Sequence, residues 1–240
     1  MKSIIRNLTI ASLAVWALVA AVNNANAQAR VAVDPSASWI GYMNVFNITG
    51  TPGYGAAAEG AYQFGSAWGT GDLVASFTGP TLTLKPNSIN DPNNYWYTPT
   101  GQPGSVGNKI MDANMYVETT GVYSGVTLTF EGNVLANTLA NGPVNQLGEG
   151  WTSVAFIKDF APDYSSFNVV TTPLTPGHFD ISLATVSDPA RHVQYGFETI
   201  GPDVWITDAG QYGNIQIIPE PSTLALLGLG LVGALIRRRR

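Results

Sequence analysis

Val126-Thr127-Leu128-Thr129-Phe130-Glu131 alternates without a slip between apolar and polar side chains. Successive side chains of an extended chain point to opposite faces, so this period of two marks a strand with one dry and one wet face. The same alternation runs through Thr81–Lys85, Phe179–Leu183 and His192–Glu198. Between these runs stand Gly79-Pro80, Lys85-Pro86-Asn87, Glu131-Gly132-Asn133, Thr175-Pro176-Gly177 and Ser187-Asp188-Pro189, all with turn chemistry. Leu135 to Leu139 reads as a short helical turn ended by Gly142-Pro143, and no other part of the body carries a helical stripe. Short strands with frequent breaks predict an all-β protein, with residues 28–218 forming a single β-sandwich. The Gly/Pro-rich stretches Pro52–Gly60 and Thr98–Gly107 read as its long loops.

The two ends of the chain follow another logic. Lys2 and Arg6 precede an apolar run from Leu8 to Val22, and Ala25-Asn26-Ala27 follows it. Small side chains at Ala25 and Ala27 suit a signal peptidase, so residues 1–27 read as a signal helix cleaved after Ala27 rather than as a retained anchor. At the other end, Ser222 to Ile236 holds no charge and is followed by Arg237, Arg238, Arg239 and Arg240. As a helix this segment is about 22 Å long against a bilayer core of about 30 Å, a gap that long arginine stems narrow by reaching to the headgroups. The arginines act as a membrane stop on the cytoplasmic side and leave the body outside the inner membrane. Gly228-Leu229-Gly230-Leu231-Val232-Gly233 spells a dinucleotide fingerprint, but only seven residues remain for the helix and acidic partner that such a site needs. It reads as small residues in a membrane helix.

Without its ends, the body holds five basic residues against fifteen acidic, a net charge near −10 where the whole chain shows −5. This balance excludes nucleic acid, whose affinity comes largely from lysine and arginine on phosphates. The chain contains no cysteine. Thiol catalysis, cysteine-ligated zinc and disulfide stapling are thereby excluded, and the core alone must stabilise the fold. Charged residues make up 11% of the chain, against roughly 25% in ordinary globular proteins.

The order Pro219-Glu220-Pro221, uncharged helix, terminal arginines resembles a PEP-CTERM sorting tail, which places residues 219–240 in that class. The resemblance implies an exported protein of a Gram-negative bacterium that makes extracellular polysaccharide. It would be anchored transiently in the inner membrane, processed by an exosortase near Pro219, Glu220 and Pro221, and released to the cell surface or medium. The body, through segments such as Asn108–Glu118, resembles a jelly-roll ectodomain recurrent among proteins with such tails. That adds a fold preference, a jelly-roll-like sandwich, and no activity.

Chemistry is sparse. The two histidines, His178 and His192, have no serine in a nucleophile motif to serve, and Ser124 reads as a turn residue. Asp159 and Asp163 are close in sequence, but Pro162 opposes the helix that would bring them to one face. Asp91 and Asn93 are candidates for a structural calcium, although Asn90–Asn94 reads equally as an Asx/Pro turn. Tyr95, Trp96 and Tyr97 form the candidate sugar platform, with burial in the core as the alternative. The expectation is a non-catalytic surface or matrix protein. A carbohydrate-binding module for extracellular polysaccharide is the alternative, and a secreted hydrolase the third reading.

Overall fold

The computed structural model of the chain describes residues 27–48, 59–139 and 150–220. The signal helix, the apolar tail helix, Pro221 and Arg237–Arg240 lie outside the described residues, as do Ala25 and Asn26. Among the described residues fourteen strands make an all-β structure: β1 Gln28–Ala32, β2 Ile40–Ile48, β3 Glu59–Trp68, β4 Ala75–Thr78, β5 Thr81–Leu84, β6 Tyr97–Thr98, β7 Val106–Gly107, β8 Lys109–Thr120, β9 Thr127–Asn137, β10 Thr152–Phe160, β11 Phe167–Pro173, β12 Gly177–Ala184, β13 His192–Pro202 and β14 Ile215–Ile218. The first strand starts at Gln28, immediately after the expected cleavage point, and the carbonyl of Ala27 accepts a 2.9 Å bond from the Thr127 N–H.

One sheet runs β11-β10-β13-β8-β2-β3, antiparallel throughout, and the β13–β8 ladder pairs eleven residues on each strand. The other is organised around β9. Its one edge takes β12; its other edge is shared by β1, parallel along Thr127–Glu131, and β14, antiparallel along Asn133–Asn137. Beyond β14 come β5 and β4, and β6 with β7 forms a small separate ladder.

The alternation that marks Val126–Glu131 carries through the structure: Leu128 and Phe130 are fully buried. They meet Leu82, Leu84, Ile181, Ile215 and Ile217 from their own sheet and Met43, Met115, Ile157, Tyr195 and Phe197 from the other, in one apolar cluster. Phe130 touches Phe179, Tyr195 and Phe197 at centroid distances of 5.4, 5.3 and 5.4 Å, and Trp39 stacks on Phe197 at 6.0 Å. Rings at such separations add to area burial, so these five tie the two sheets together.

Two local expectations are corrected. Glu131-Gly132-Asn133 is not a turn: β9 runs straight through it. Gly132 is there because a Cβ would lie 2.8 Å from both the Phe179 ring and a Val33 methyl, so the break residue is a packing notch. Leu135 is likewise in β9 rather than in a helical turn, because Gln216 and Ile217 of β14 give this stretch a strand to pair with.

Candidate ligand-binding groove

The antiparallel sheet has two dissimilar faces. One supplies the core. The other curls into a half-barrel whose hollow has a volume of ≈ 800 Å³. It is lined from five adjacent strands, from Tyr42 on β2 to Thr171 on β11. Four inter-strand spacings of about 4.8 Å make it about 19 Å across, long enough for several units of a polymer.

The register places the lining in cross-strand rows. Glu118, Gln194, Lys158 and Val169 face one another across β8, β13, β10 and β11. Tyr116, Gly196, Phe156 and Thr171 form the next row, and Tyr42, Asn114 and Glu198 the one after. Gly196 governs the depth. A Cβ at this position would sit 2.1 Å from the Met115 carbonyl oxygen and 2.6 Å from the Tyr116 Cα. Glycine alone permits that approach, and the Tyr116 and Phe156 rings on either side come to 6.5 Å of each other. Both rings are buried yet stand apart from the main core cluster: Tyr116 lines the hollow, and Phe156 lies beneath Lys158.

The polar residues of the hollow form two hydrogen-bonded clusters. Asn44 Nδ2 and Asn114 Nδ2 donate to the two oxygens of Asp112 at 2.9 and 2.6 Å. Lys158 Nζ donates to Asn114 Oδ1 at 2.9 Å and to Glu198 Oε2 at 2.8 Å, and rests 4.2 Å from the Phe156 ring centre. Glu118 accepts from Gln194 Nε2 at 2.6 Å and from the Tyr164 hydroxyl at 3.0 Å. Burial and then the nearby Glu198 charge raise the Asp112 carboxyl to about 6, against the pull of its amide donors and Lys158. One wall is aromatic: Phe160 lies 4.8 Å from Phe167 and 5.5 Å from Tyr164, whose ring stacks on His192 at 4.4 Å. Phe167, Tyr164 and Val169 stay 50%, 48% and 46% exposed, so this wall offers apolar faces to whatever enters.

The residues singled out from sequence lie elsewhere. Tyr97 is fully buried, its hydroxyl shared among Ile89 N, Ile89 O and Val204 O at 2.9, 2.8 and 3.0 Å. Trp96 is half-buried against the core, and Tyr95, 39% exposed, already carries Lys109 Nζ 4.0 Å over its ring. The three rings therefore form no common platform; only Tyr95 has an open face. Asp91 Oδ1 and Asn93 Oδ1 accept from the N–H groups of Asn93 and Tyr95 at 3.0 and 2.8 Å, the Asx-turn geometry. Asp159 is buried and bound to Arg191 Nε at 2.8 Å and to the Val186 N–H at 2.8 Å, whereas Asp163 is exposed and capped by Ser165. Those two acids do not share a site. His178 sits on β12 and contacts Glu220.

The groove residues did leave a trace in the sequence. Asp112, Asn114 and Glu118 repeat at even spacing between Ala113, Met115 and Val117, which reads as an ordinary solvent face. Nothing in one strand reveals that its neighbours bring Glu198 and Lys158 to the same place.

Residues 218–240 match the PEP-CTERM protein-sorting motif. The chain carries a PEP-CTERM sorting tail. Such a tail marks an exported protein that an exosortase processes and sorts to the cell surface. No curated protein matches the chain. The part of the PEP-CTERM tail within the described residues, Ile218–Glu220, begins at the last residue of β14, whose Ile217 is fully buried, and Glu220 is still held against the fold by His178.

Proposed function

We propose that this exported protein is a non-catalytic component of the cell surface or extracellular matrix, and that its groove binds extracellular polysaccharide. In this reading residues 28–218 are one jelly-roll-like sandwich with a concave outer face, and the parallel β1–β9 pair is its departure from a purely antiparallel roll. The observation that carries the proposal is the composition of the groove. Sugar rings have apolar faces and a rim of hydroxyls. The groove sets apolar ring faces at Phe160, Tyr164 and Phe167 beside the amides and carboxylates of Asn44, Asn114, Gln194, Asp112 and Glu118. Pockets for small ligands commonly combine an apolar lining with a few convergent polar groups. An open trough about 19 Å across five strands suits a chain rather than a single sugar.

Affinity electrophoresis of the exported protein in gels containing bacterial polysaccharides tests this. The expected result is retardation that Phe167→Ala or Tyr42→Ala abolishes and Trp96→Ala leaves unchanged. Absence of retardation in every gel, or retardation lost only in Trp96→Ala, refutes the groove. Release of reducing ends from a retarding polysaccharide, lost in Asp112→Asn, would convert the protein into a hydrolase. An intact arginine tail in mass spectra of the mature surface protein would contradict processing at Pro219–Pro221.

A further inference from the structure

Resting on that reading of the groove, we infer that its preferred ligand is a glycan bearing free amino groups, and that uronate-rich or sulfated chains are rejected. The inference comes from a charge count inside the hollow. Three carboxylates line it, Asp112, Glu118 and Glu198, against one cation, Lys158. Lys158 is committed: its ammonium lies 2.8 Å from Glu198 and is further occupied by Asn114 Oδ1. Asp112 and Glu118 are left with neutral donors only, two asparagine amides for the first and a glutamine amide with a phenol for the second. Among the described residues no ion pair reaches either of them.

Two carboxylates without a direct ion-pair partner, with a third shared by Lys158, give the hollow a net negative field. Each oxygen retains acceptor capacity after its amide bonds, so the carboxylates present open acceptor sites, and the donors beside them, the hydroxyls of Tyr42, Tyr116 and Thr171, are neutral. An anionic glycan would set like charges together in that hollow. A neutral one would satisfy the acceptors with hydroxyls. An amine-bearing one would do so with charge-assisted bonds, which are about twice as strong. The distance between the two carboxylates along β8, six residues at about 3.4 Å each, gives about 20 Å, so successive amines on one chain have two separated sites to reach.

Isothermal titration of the exported protein with three probes tests this: a β-1,4-linked glucosamine hexamer, its fully N-acetylated form and an oligouronate. The free amine should bind about tenfold tighter than the acetylated hexamer, the difference between charged and neutral hydrogen bonds, and the oligouronate should not bind. Glu118→Gln and Asp112→Asn should each remove most of that preference, with unfolding curves confirming that both variants fold. Asp180→Asn, an exposed acid on β12 of the other sheet, separates this site from general attraction of a polycation to an acidic surface. Equal loss of binding in Asp180→Asn overturns the site. Equal affinity for amine and acetylated hexamers, or tight binding of the oligouronate, overturns the amine preference while leaving a polysaccharide groove standing. Failure of all three probes, together with failure in the polysaccharide gels, removes the groove reading itself.

Discussion

Substituting Gly196→Ala puts the geometry of the groove to a direct test. The new Cβ would stand 2.1 Å from the Met115 carbonyl oxygen, about 1.3 Å short of the 3.4 Å at which ordinary contact begins, and 2.6 Å from the Tyr116 Cα. Both neighbours are backbone atoms of β8, so no side-chain rotation relieves the overlap. β13 must move away from β8 in the middle of an eleven-residue ladder. Overpacking of this kind costs about 1–3 kcal/mol, and weakening one or two ladder bonds adds about 1 kcal/mol each. The expected loss is about 3 kcal/mol in urea unfolding, with the slope unchanged. Separating these strands also parts Tyr116 from Phe156 and flattens the hollow, so polysaccharide retardation should weaken as well. Gly210→Ala is the matched control, since nothing lies within 4 Å of the added methyl, and it should stay within about 0.5 kcal/mol of the parent. A loss below about 1 kcal/mol for Gly196→Ala would mean that β13 and β8 are not in such close contact and that the curl has another origin.

Two further perturbations probe the buried charges. Arg191→Met leaves the Asp159 carboxylate, 1% exposed, with a single backbone donor, and should cost about 3–5 kcal/mol in the same assay; the double variant with Asp159→Asn should recover a good part of it. A loss under about 1 kcal/mol in the single variant would show that water reaches Asp159. Asp203 is fully buried and is raised to about 8, chiefly by burial and against the Lys109 N–H that donates to it. The unfolded carboxyl ionises near 4, so the folded state holds more protons between about pH 4 and 8, and its stability falls as pH rises through that window. Asp112, raised to about 6, contributes only to the lower part of the window. Asp203→Asn should therefore flatten the decline of melting temperature between pH 6 and 8, and an unchanged slope there would refute the assignment.

The strands legible in sequence are those whose alternation meets one dry face and one wet one. Thr127–Glu131 and Phe179–Leu183 belong to the β9-centred sheet, where Leu128, Phe130 and Ile181 face the core while Asp180 and Ser182 stay exposed. Period and environment agree there, so the reading is direct. β8 is harder, because Lys109–Val117 is buried or half-buried at every position. Its polar residues sit in a hollow instead of in water, and alternation does not distinguish the two. Gly132 misled for a related reason, since glycine punctuates a chain when local turn geometry demands it and also when a partner's ring needs room. Tyr95–Tyr97 illustrates the limit for sites. Composition identifies rings beside amides, but the Tyr97 hydroxyl bonds to Ile89 and Val204, residues far apart in the chain, and this tertiary closure turns the ring inward.

The energetic asymmetry of the two sheets is the strongest reason to place function on the curled one. Across β9 and β12, outward side chains such as Thr129 and Ser182 satisfy each other with a 2.7 Å bond and demand nothing more. Across β8, β13 and β10 the fold instead holds Asp112, Glu118, Glu198 and Lys158 in one hollow, where each charge loses hydration. Withdrawing charges from water is often neutral or unfavourable beside apolar side chains of similar volume even when two of them pair, as Lys158 and Glu198 do here, so stability does not account for their presence. Gly196 compounds the cost, because a strand-interior glycine gives up side-chain packing and conformational entropy alike. A face that combines desolvated carboxylates, a strand-interior glycine and half-exposed rings is expensive to fold in three independent ways. A ligand that returns donors to those carboxylates and covers those rings offsets all three costs at once.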